Sequence, residues 1–246
     1  MRLDLYIFQK FGLKSRSYAS QLIKKGQVKV NGKITLLPAL KVMDGEKFEI
    51  SLDLSDEFAS QGGHKLKCAL DAFKIDVGGL CAADIGCGGG GFTDCLLRAG
   101  AKSVLAVDVG ECALPDALIS DPRVSFLREN ARFSRNFPKE SFDFVCADVS
   151  FISLELIFLT VKKILKDGGC AVLLVKPQFE LKKAALNKQG IVKNERDRAF
   201  ALCKIKCAAQ KHGFEILGET QSPQMFENKN KEFLLYIKKP TGGANI

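Results

Sequence analysis

A chain of 246 residues with 46% hydrophobic and 26% charged side chains has an ordinary globular composition, which excludes intrinsic disorder and leaves room for a large domain plus a small module. The formal net charge is +9, and Met1 to Met43 holds nine Lys or Arg against the single acid Asp4, a concentration of charge that suits a polyanionic partner. No apolar run is longer than about Cys170–Val175, Asp4 interrupts any signal-like start, and the nine cysteines lack C-x-x-C spacing. Membrane insertion, secretion and metal sites are therefore disfavoured, and a cytoplasmic protein with reduced cysteines is expected.

Leu3 to Phe11 has helical apolar spacing and meets Gly12, a C-terminal stop. Ser15 is placed to cap a second helix that runs to about Lys25 and ends at Gly26. On it Tyr18, Ala19, Leu22 and Ile23 form an apolar stripe, while Arg16, Ser20 and Lys24 recur every four residues on the opposite face. Val28-Lys29-Val30 alternates as a strand before the tight-turn pair Asn31-Gly32, and a second short strand is expected near Lys47 to Leu52. Arg2-Leu3-Asp4, Ser15-Arg16, Leu22-Ile23, Gly26, Val28-x-Val30 and Asn31-Gly32 together resemble the S4 RNA-binding domain of ribosomal and rRNA-modifying proteins. The resemblance covers about the first fifty residues. It implies structured RNA gripped through its phosphates, with Arg2, Lys14, Arg16, Lys24, Lys25 and Lys29 as the candidate contacts.

Composition then changes. Asp53, Asp56, Glu57 and Gly62-Gly63 mark a connector over 53–63, between a small domain at 1–52 and a larger one at 64–240, with a flexible tail at 241–246. Beyond the connector, Cys81–Ile85, Val104–Val109, Val124–Leu127, Phe142–Ala147 and Ala171–Val175 are short apolar runs of the kind that form buried parallel strands. Helices are expected at Lys65–Phe73, Phe92–Ala99, Leu154–Leu165 and Glu195–His212, and two further strands at Phe214–Glu219 and Glu232–Ile237. This alternation predicts a doubly wound α/β domain with a mostly parallel seven-stranded sheet, preceded by the small α+β module.

Directly after the first of those strands comes Asp84-Ile85-Gly86-Cys87-Gly88-Gly89-Gly90-Gly91-Phe92. Glycines there permit a tight turn and let backbone approach a ligand just before a helix N-terminus. Gly86-x-Gly88-x-x-Gly91 also satisfies the dinucleotide fingerprint, so the loop alone leaves a nicotinamide cofactor open. Asp84, two residues before the first glycine, completes D-x-G-x-G-x-G, which resembles the first motif of class I methyltransferases and implies S-adenosylmethionine. Asp108, at the end of the next strand, is placed for a ribose diol in either case. Asn130, after the third strand, is a candidate for an adenine pocket, and Gly86, Gly88, Gly90 and Phe92 complete the candidate cofactor site.

Four charged residues stand at element ends. Lys65 follows Gly62-Gly63-His64 at a helix start, Asp148 lies just past Ala147, Lys176 follows Val175 and precedes Pro177, and Glu232 opens the last strand. Residues beyond the carboxyl ends of parallel strands line the binding crevice, so Asp148 and Lys176 share a rim with the glycine loop. In this order, after an S4-like module, the four resemble the Lys-Asp-Lys-Glu tetrad of FtsJ-like ribose 2′-O-methyltransferases. More closely, the chain is similar to the TlyA group, once called haemolysins. Gly91-Phe92-Thr93-Asp94, Ala106-Val107-Asp108-Val109-Gly110, Asp148-Val149-Ser150-Phe151-Ile152-Ser153, Val175-Lys176-Pro177-Gln178-Phe179-Glu180 and Glu232-Phe233-Leu234-Leu235 extend the resemblance over almost the whole chain.

The resemblance implies 2′-O-methylation of a cytidine in ribosomal RNA, free or in an assembled subunit. The large-subunit RNA is favoured, because the chain begins almost at the S4 motif and ends soon after Glu232. A monomer without metal or membrane is expected. A 2′-hydroxyl needs its proton removed or its developing charge stabilised, which suits Lys176 as base and Lys65 as the stabilising cation, though the two lysines can exchange roles. Asp148 would align them with the hydroxyl and Glu232 would orient a lysine. The pattern departs at Gln61, where the family usually has Arg, and at Cys87 with its following glycines, where Ala-Ser-Thr is more typical; side-chain hydroxyl contacts to the cofactor are lost there. Two rivals stand: a nicotinamide-dependent oxidoreductase, which leaves the lysines and the basic module idle, and a non-catalytic RNA-binding assembly factor. Pore formation would require a membrane-active segment, and the sequence offers none.

Overall fold

The computed structural model describes residues 1–13, 15–42, 49–53, 57–133, 135–224 and 229–242. Lys14, Asp56, the start of the strand expected from Lys47 and the end of the tail lie outside them. The chain forms two compact units, Met1–Glu57 and Phe58–Ile246.

In the first unit α1 (Leu3–Lys10) and α2 (Arg16–Lys24) share a core with β1 (Val28–Val30) and β3 (Ile50–Leu52), while β2 (Lys33–Ile34) is exposed. The strands form an antiparallel sheet in the order β2-β1-β3. Gly12 lies just past α1 with φ +59°, and Ser15 Oγ accepts the Tyr18 N–H at 3.1 Å to start α2. Asn31 and Gly32 both have positive φ, 51° and 76°, the backbone a two-residue hairpin turn needs between Val30 and its partner Lys33. The apolar stripe reads correctly: Ala19, Leu22 and Ile23 are fully buried, and Arg16 and Lys24 are exposed.

The second unit runs α3 (Gly62–Phe73), β4 (Cys81–Ile85), α4 (Gly91–Arg98), β5 (Ser103–Asp108), α5 (Asp116–Ile119), β6 (Val124–Arg128) and β7 (Phe142–Ala147). A 3-10 turn at Leu154–Ile157 leads into α6 (Phe158–Ile164), β8 (Leu165–Val175), α7 (Pro177–Glu180), α8 (Glu195–Lys211), β9 (Glu215–Gln221) and β10 (Phe233–Lys238). The sheet has seven strands in the order β6-β5-β4-β7-β8-β10-β9, with β10 antiparallel to both neighbours and the others parallel. This is the doubly wound α/β fold that the alternation of elements predicts. Successive residues of one strand serve opposite faces: Val145 and Ala147 join the core beneath α6 and α8, while Phe144 and Cys146 join that beneath α3 and α4. The chain winds from β4 through β5 to β6 on one side and from β7 to β8 on the other. The carboxyl ends of β4 and β7 are therefore the switch point at which such sheets bind ligands.

One helix expected at Leu154–Leu165 is instead a capped turn and a shorter helix. Ser153 Oγ accepts the Glu155 N–H at 3.2 Å, and Leu165 already belongs to β8. β8 also starts earlier than expected, because Lys166-Asp167-Gly168-Gly169 breaks its apolar pattern while Leu165 still pairs with Phe142 across a register shift.

Candidate active site

The glycine loop is built by crowding. Gly86 has φ +81°, and a Cβ on it would stand 2.7 Å from the backbone oxygen of Asp148, so glycine lets the ends of β4 and β7 close on each other. The N–H groups of Gly86 and Cys87 donate to the Val107 carbonyl at 2.8 and 3.0 Å. Gly88 and Gly110 each donate a backbone N–H to one oxygen of Asp108 at 3.0 Å. Loop and strand ends line a cleft of about 520 Å³.

Of the residues singled out for a cofactor, Gly86, Gly88, Asp108 and Asn130 line this cleft; Asp84, Gly90 and Phe92 do not. Gly90 faces Leu114 and Leu118, and Phe92 is buried in the core. Asp84 is fully buried and accepts from Thr93 Oγ1 at 2.7 Å, while its Oδ1 has no hydrogen-bond partner among the described residues. Burial pushes its pKa up to about 7, against the opposing pull of Thr93. Asn130 Oδ1 accepts the Arg132 N–H at 3.0 Å, which leaves its Nδ2 as a donor. Glu129, which the sequence reading passed over, also lines the cleft and accepts the Asn130 N–H at 2.8 Å.

Lys65 is carried on the first turn of α3, and that turn is set by a close approach: a Cβ on Gly63 would lie 2.2 Å from Phe58 Cγ. Phe58 in turn sits 4.9 Å beneath the Arg98 guanidinium, and Ala59 donates its N–H to Asp94 Oδ2 at 2.8 Å. Residues 58–63 are thus fastened to α4. Lys65 Nζ donates to Glu232 Oε2 at 2.7 Å. Lys176 Nζ stands 2.5 Å from Asp148 Oδ1 and donates to Ser150 Oγ at 2.7 Å.

Register brings the two pairs together. Phe233 pairs with Val175, so Glu232, one residue earlier, continues the antiparallel ladder opposite Lys176. Gln178 Nε2 bridges the gap by donating to Glu232 Oε1 at 3.3 Å. The four side chains are 11–21% exposed. Pairs buried to this degree add little net stability, but they hold charges in fixed positions. Asp148 and Lys176 border the glycine-loop cleft, while Lys65, Gln178 and Glu232 border a neighbouring cleft of about 660 Å³. Phe151 borders both; it is 88% exposed and held at φ +65°. Ser150, Phe151 and Gln178 carry no charge, and nothing in their spacing singles them out.

In the first unit Arg2 and Arg16 reach Asp4 at 2.9 and 3.3 Å, and Lys25 pairs with Glu57 at 2.8 Å. Lys24 and Lys29 are exposed, and Lys14 lies outside the described residues.

The family model for FtsJ-like methyltransferases matches residues 58–239. The chain belongs to the FtsJ-like methyltransferase family. In this methyltransferase the S4 domain model matches residues 1–47, ahead of the catalytic fold. It is 35% identical over 245 residues to a Mycobacterium tuberculosis protein named 16S/23S rRNA (cytidine-2′-O)-methyltransferase TlyA, covering 99% of this chain and 91% of the relative. It is also 35% identical over 243 residues to Hemolysin A of Brachyspira hyodysenteriae, covering 96% and 99%. A solved Streptococcus thermophilus structure bearing the name "Putative hemolysin" superposes with a TM-score of 0.72 at 35% identity, covering 99% and 91%. Among the described residues of this FtsJ-like methyltransferase, no helix is long and apolar enough to cross a membrane, and no group of three His, Cys, Asp or Glu could hold a metal ion.

Proposed function

We propose that this FtsJ-like methyltransferase moves the methyl group of S-adenosylmethionine to the ribose 2′-hydroxyl of a cytidine in ribosomal RNA. The observation that carries the reading is the Asp148–Lys176 pair on the rim of the glycine-loop cleft, joined through Gln178 and Glu232 to Lys65. The residues present suit the donor. Gly86 and Gly88 leave backbone approachable, and each Asp108 oxygen keeps a lone pair beyond the N–H it already accepts, as a ribose diol requires. Asn130 Nδ2 offers a donor to an adenine edge. When bound, the donor supplies a methyl already activated on a sulfonium.

What remains for the protein is to align the hydroxyl and take its proton. Lys176 serves as the base that takes that proton, since of the two lysines it is the one bordering the donor cleft, and Asp148 holds its Nζ in place. Lys65, held by Glu232, stabilises the oxygen as negative charge develops on it. Ser150 and Gln178 fix the rotamers of this machinery. The exposed cations of the first unit grip phosphates, and the working compartment is the cytoplasm, where ribosomal RNA is found.

Transfer of a tritiated methyl group to purified ribosomal subunits lacking the modification, followed by nucleoside analysis, tests the reading. Both subunits belong in the assay, since the Mycobacterium tuberculosis relative's name carries 16S and 23S. Label is expected on a cytidine ribose; label on a base would defeat the mechanism. Lys176→Met is expected to lower kcat/KM by about 10³-fold or more. A variant that retains wild-type rate removes Lys176 from the chemistry.

A further inference from the structure

The cleft beside the Lys65–Glu232 pair is lined largely by neutral polar side chains, among them Gln61, Gln178 and Ser222. Each of these three has a buried oxygen with no hydrogen-bond partner among the described residues: Gln61 Oε1, Gln178 Oε1 and Ser222 Oγ. Asn230, which lines the same cleft, is already committed, accepting the Val192 N–H at 2.8 Å and donating to the Gly190 carbonyl at 2.9 Å.

At Gln178 the amide orientation follows from chemistry. The Glu232 carboxylate only accepts, so Gln178 must turn its nitrogen toward Glu232, and its oxygen is left as an acceptor in want of a donor. Ser222 is 3% exposed, and its backbone N–H donates to the Glu232 carbonyl at 2.9 Å, which ties the hydroxyl to the same segment. A buried amide oxygen without a donor is costly and calls for a ligand that brings N–H groups, while the Ser222 hydroxyl can either donate or accept. A phosphate brings only acceptors. Among pyrimidines, cytosine presents an exocyclic amine with two N–H groups where uracil presents a carbonyl.

We propose that this cleft receives the target base by its amino edge, with Gln178 Oε1 accepting from the exocyclic amine and Ser222 as second partner, so that the enzyme selects cytosine over uracil. The inference rests on the ribose-methylation reading above. Its location agrees with that reading: Glu232 and its ion-pair partner Lys65 both line the polar cleft, so a base held there lies beside Lys65.

The test compares two RNA substrates that differ only in carrying cytidine or uridine at the position the wild-type enzyme methylates. Methyl transfer is measured for wild type, Gln178→Leu and Ser222→Ala, with thermal unfolding and S-adenosylhomocysteine binding followed in parallel. Wild type is expected to favour cytidine by about 30-fold or more; Gln178→Leu, which also frees Glu232, is expected to slow both substrates but cytidine about tenfold more, shrinking the ratio to about threefold. Ser222→Ala is expected to lower the ratio by a smaller factor in the same sense, which keeps the test intact if the leucine variant fails to fold. A merely structural role for Gln178 would slow both substrates alike and leave the ratio unchanged, and that outcome overturns the inference. So does a wild-type enzyme that methylates both ribose positions equally well. Absence of ribose label on either RNA overturns the methylation reading itself, and this inference with it.

Discussion

Asp4 on α1 and Asp84 on β4 are both buried, 3% and 0% exposed, but they differ in what surrounds them. Asp4 accepts hydrogen bonds from Arg2 at 2.9 and 3.2 Å, from Arg16 at 3.3 Å and from the Leu5 N–H at 2.8 Å. The Arg2 bond above all holds its pKa below the usual carboxylate range. Asp84 accepts from Thr93 but has no cation beside it among the described residues, and burial pushes it up to about 7. A carboxylate that folds together with its own cations is complete and serves the structure. One buried beneath a glycine loop keeps an oxygen without a hydrogen-bond partner among the described residues. The first unit commits two of its cations to Asp4, whereas Asp84 forms no ion pair among the described residues.

The largest expected effect breaks this comparison at Asp84. Its folded pKa lies above the ordinary 3.8, so the stability it contributes is full below about pH 4 and is lost as pH rises through about 7. Ionising it at pH 8 costs as much as about 4 kcal/mol. Asp84→Asn keeps an acceptor for Thr93 and is expected to raise stability at pH 8 with little change near pH 4, while weakening S-adenosylhomocysteine binding. Urea unfolding at the two pH values checks this, and equal pH slopes for the two proteins would show that Asp84 is not the titrating group. Asp4→Asn runs with the opposite sign. The Asp4 contribution is present above about pH 4 and fades as pH falls through its lowered value, so the variant is expected to lose about 1 kcal/mol at neutral pH, modest because both arginines are half-exposed. Unfolding of the first unit, followed from pH 7 downward, should show that deficit closing.

Neither aspartate's state is legible in the sequence, although the elements holding them are. The bounds of β4 and β7 follow from apolar runs ended by Gly86 and Asp148, and the hairpin turn follows from Asn31-Gly32. α5 and α7, four residues each, are too short to carry a period, and β8 hides its first half in a polar, glycine-bearing stretch. Within the site, position at element ends together with resemblance to a known tetrad singles out Lys65, Asp148, Lys176 and Glu232. Which lysine meets which acid depends on β10 lying antiparallel between β8 and β9, a long-range fact that no local pattern records. Gln178 and Ser222 are harder still. Neutral polar residues declare themselves only when three-dimensional packing leaves their oxygens unpaired.

The smallest expected effect sharpens the comparison within the first unit, between cations committed to Asp4 and cations left exposed. Lys24 and Lys29 are exposed, whereas Arg2 and Arg16 are shared with a buried carboxylate. A phosphate contact releases counterions in proportion to the charge it neutralises, so each lysine that makes one contributes roughly 0.7–0.9 to the slope of log affinity against log salt. Lys24→Ala with Lys29→Ala should therefore weaken ribosomal RNA binding several-fold at moderate salt and flatten that slope by up to about 1.5, with no loss of stability. Arg16→Ala should flatten it less and lower the stability of the first unit instead, because Asp4 loses a partner. Filter binding over a salt series separates the two variants. A slope unchanged in the double lysine variant would remove these residues from the RNA grip, and one flattened more by Arg16→Ala would show that Asp4 orients Arg16 toward RNA instead of occupying it.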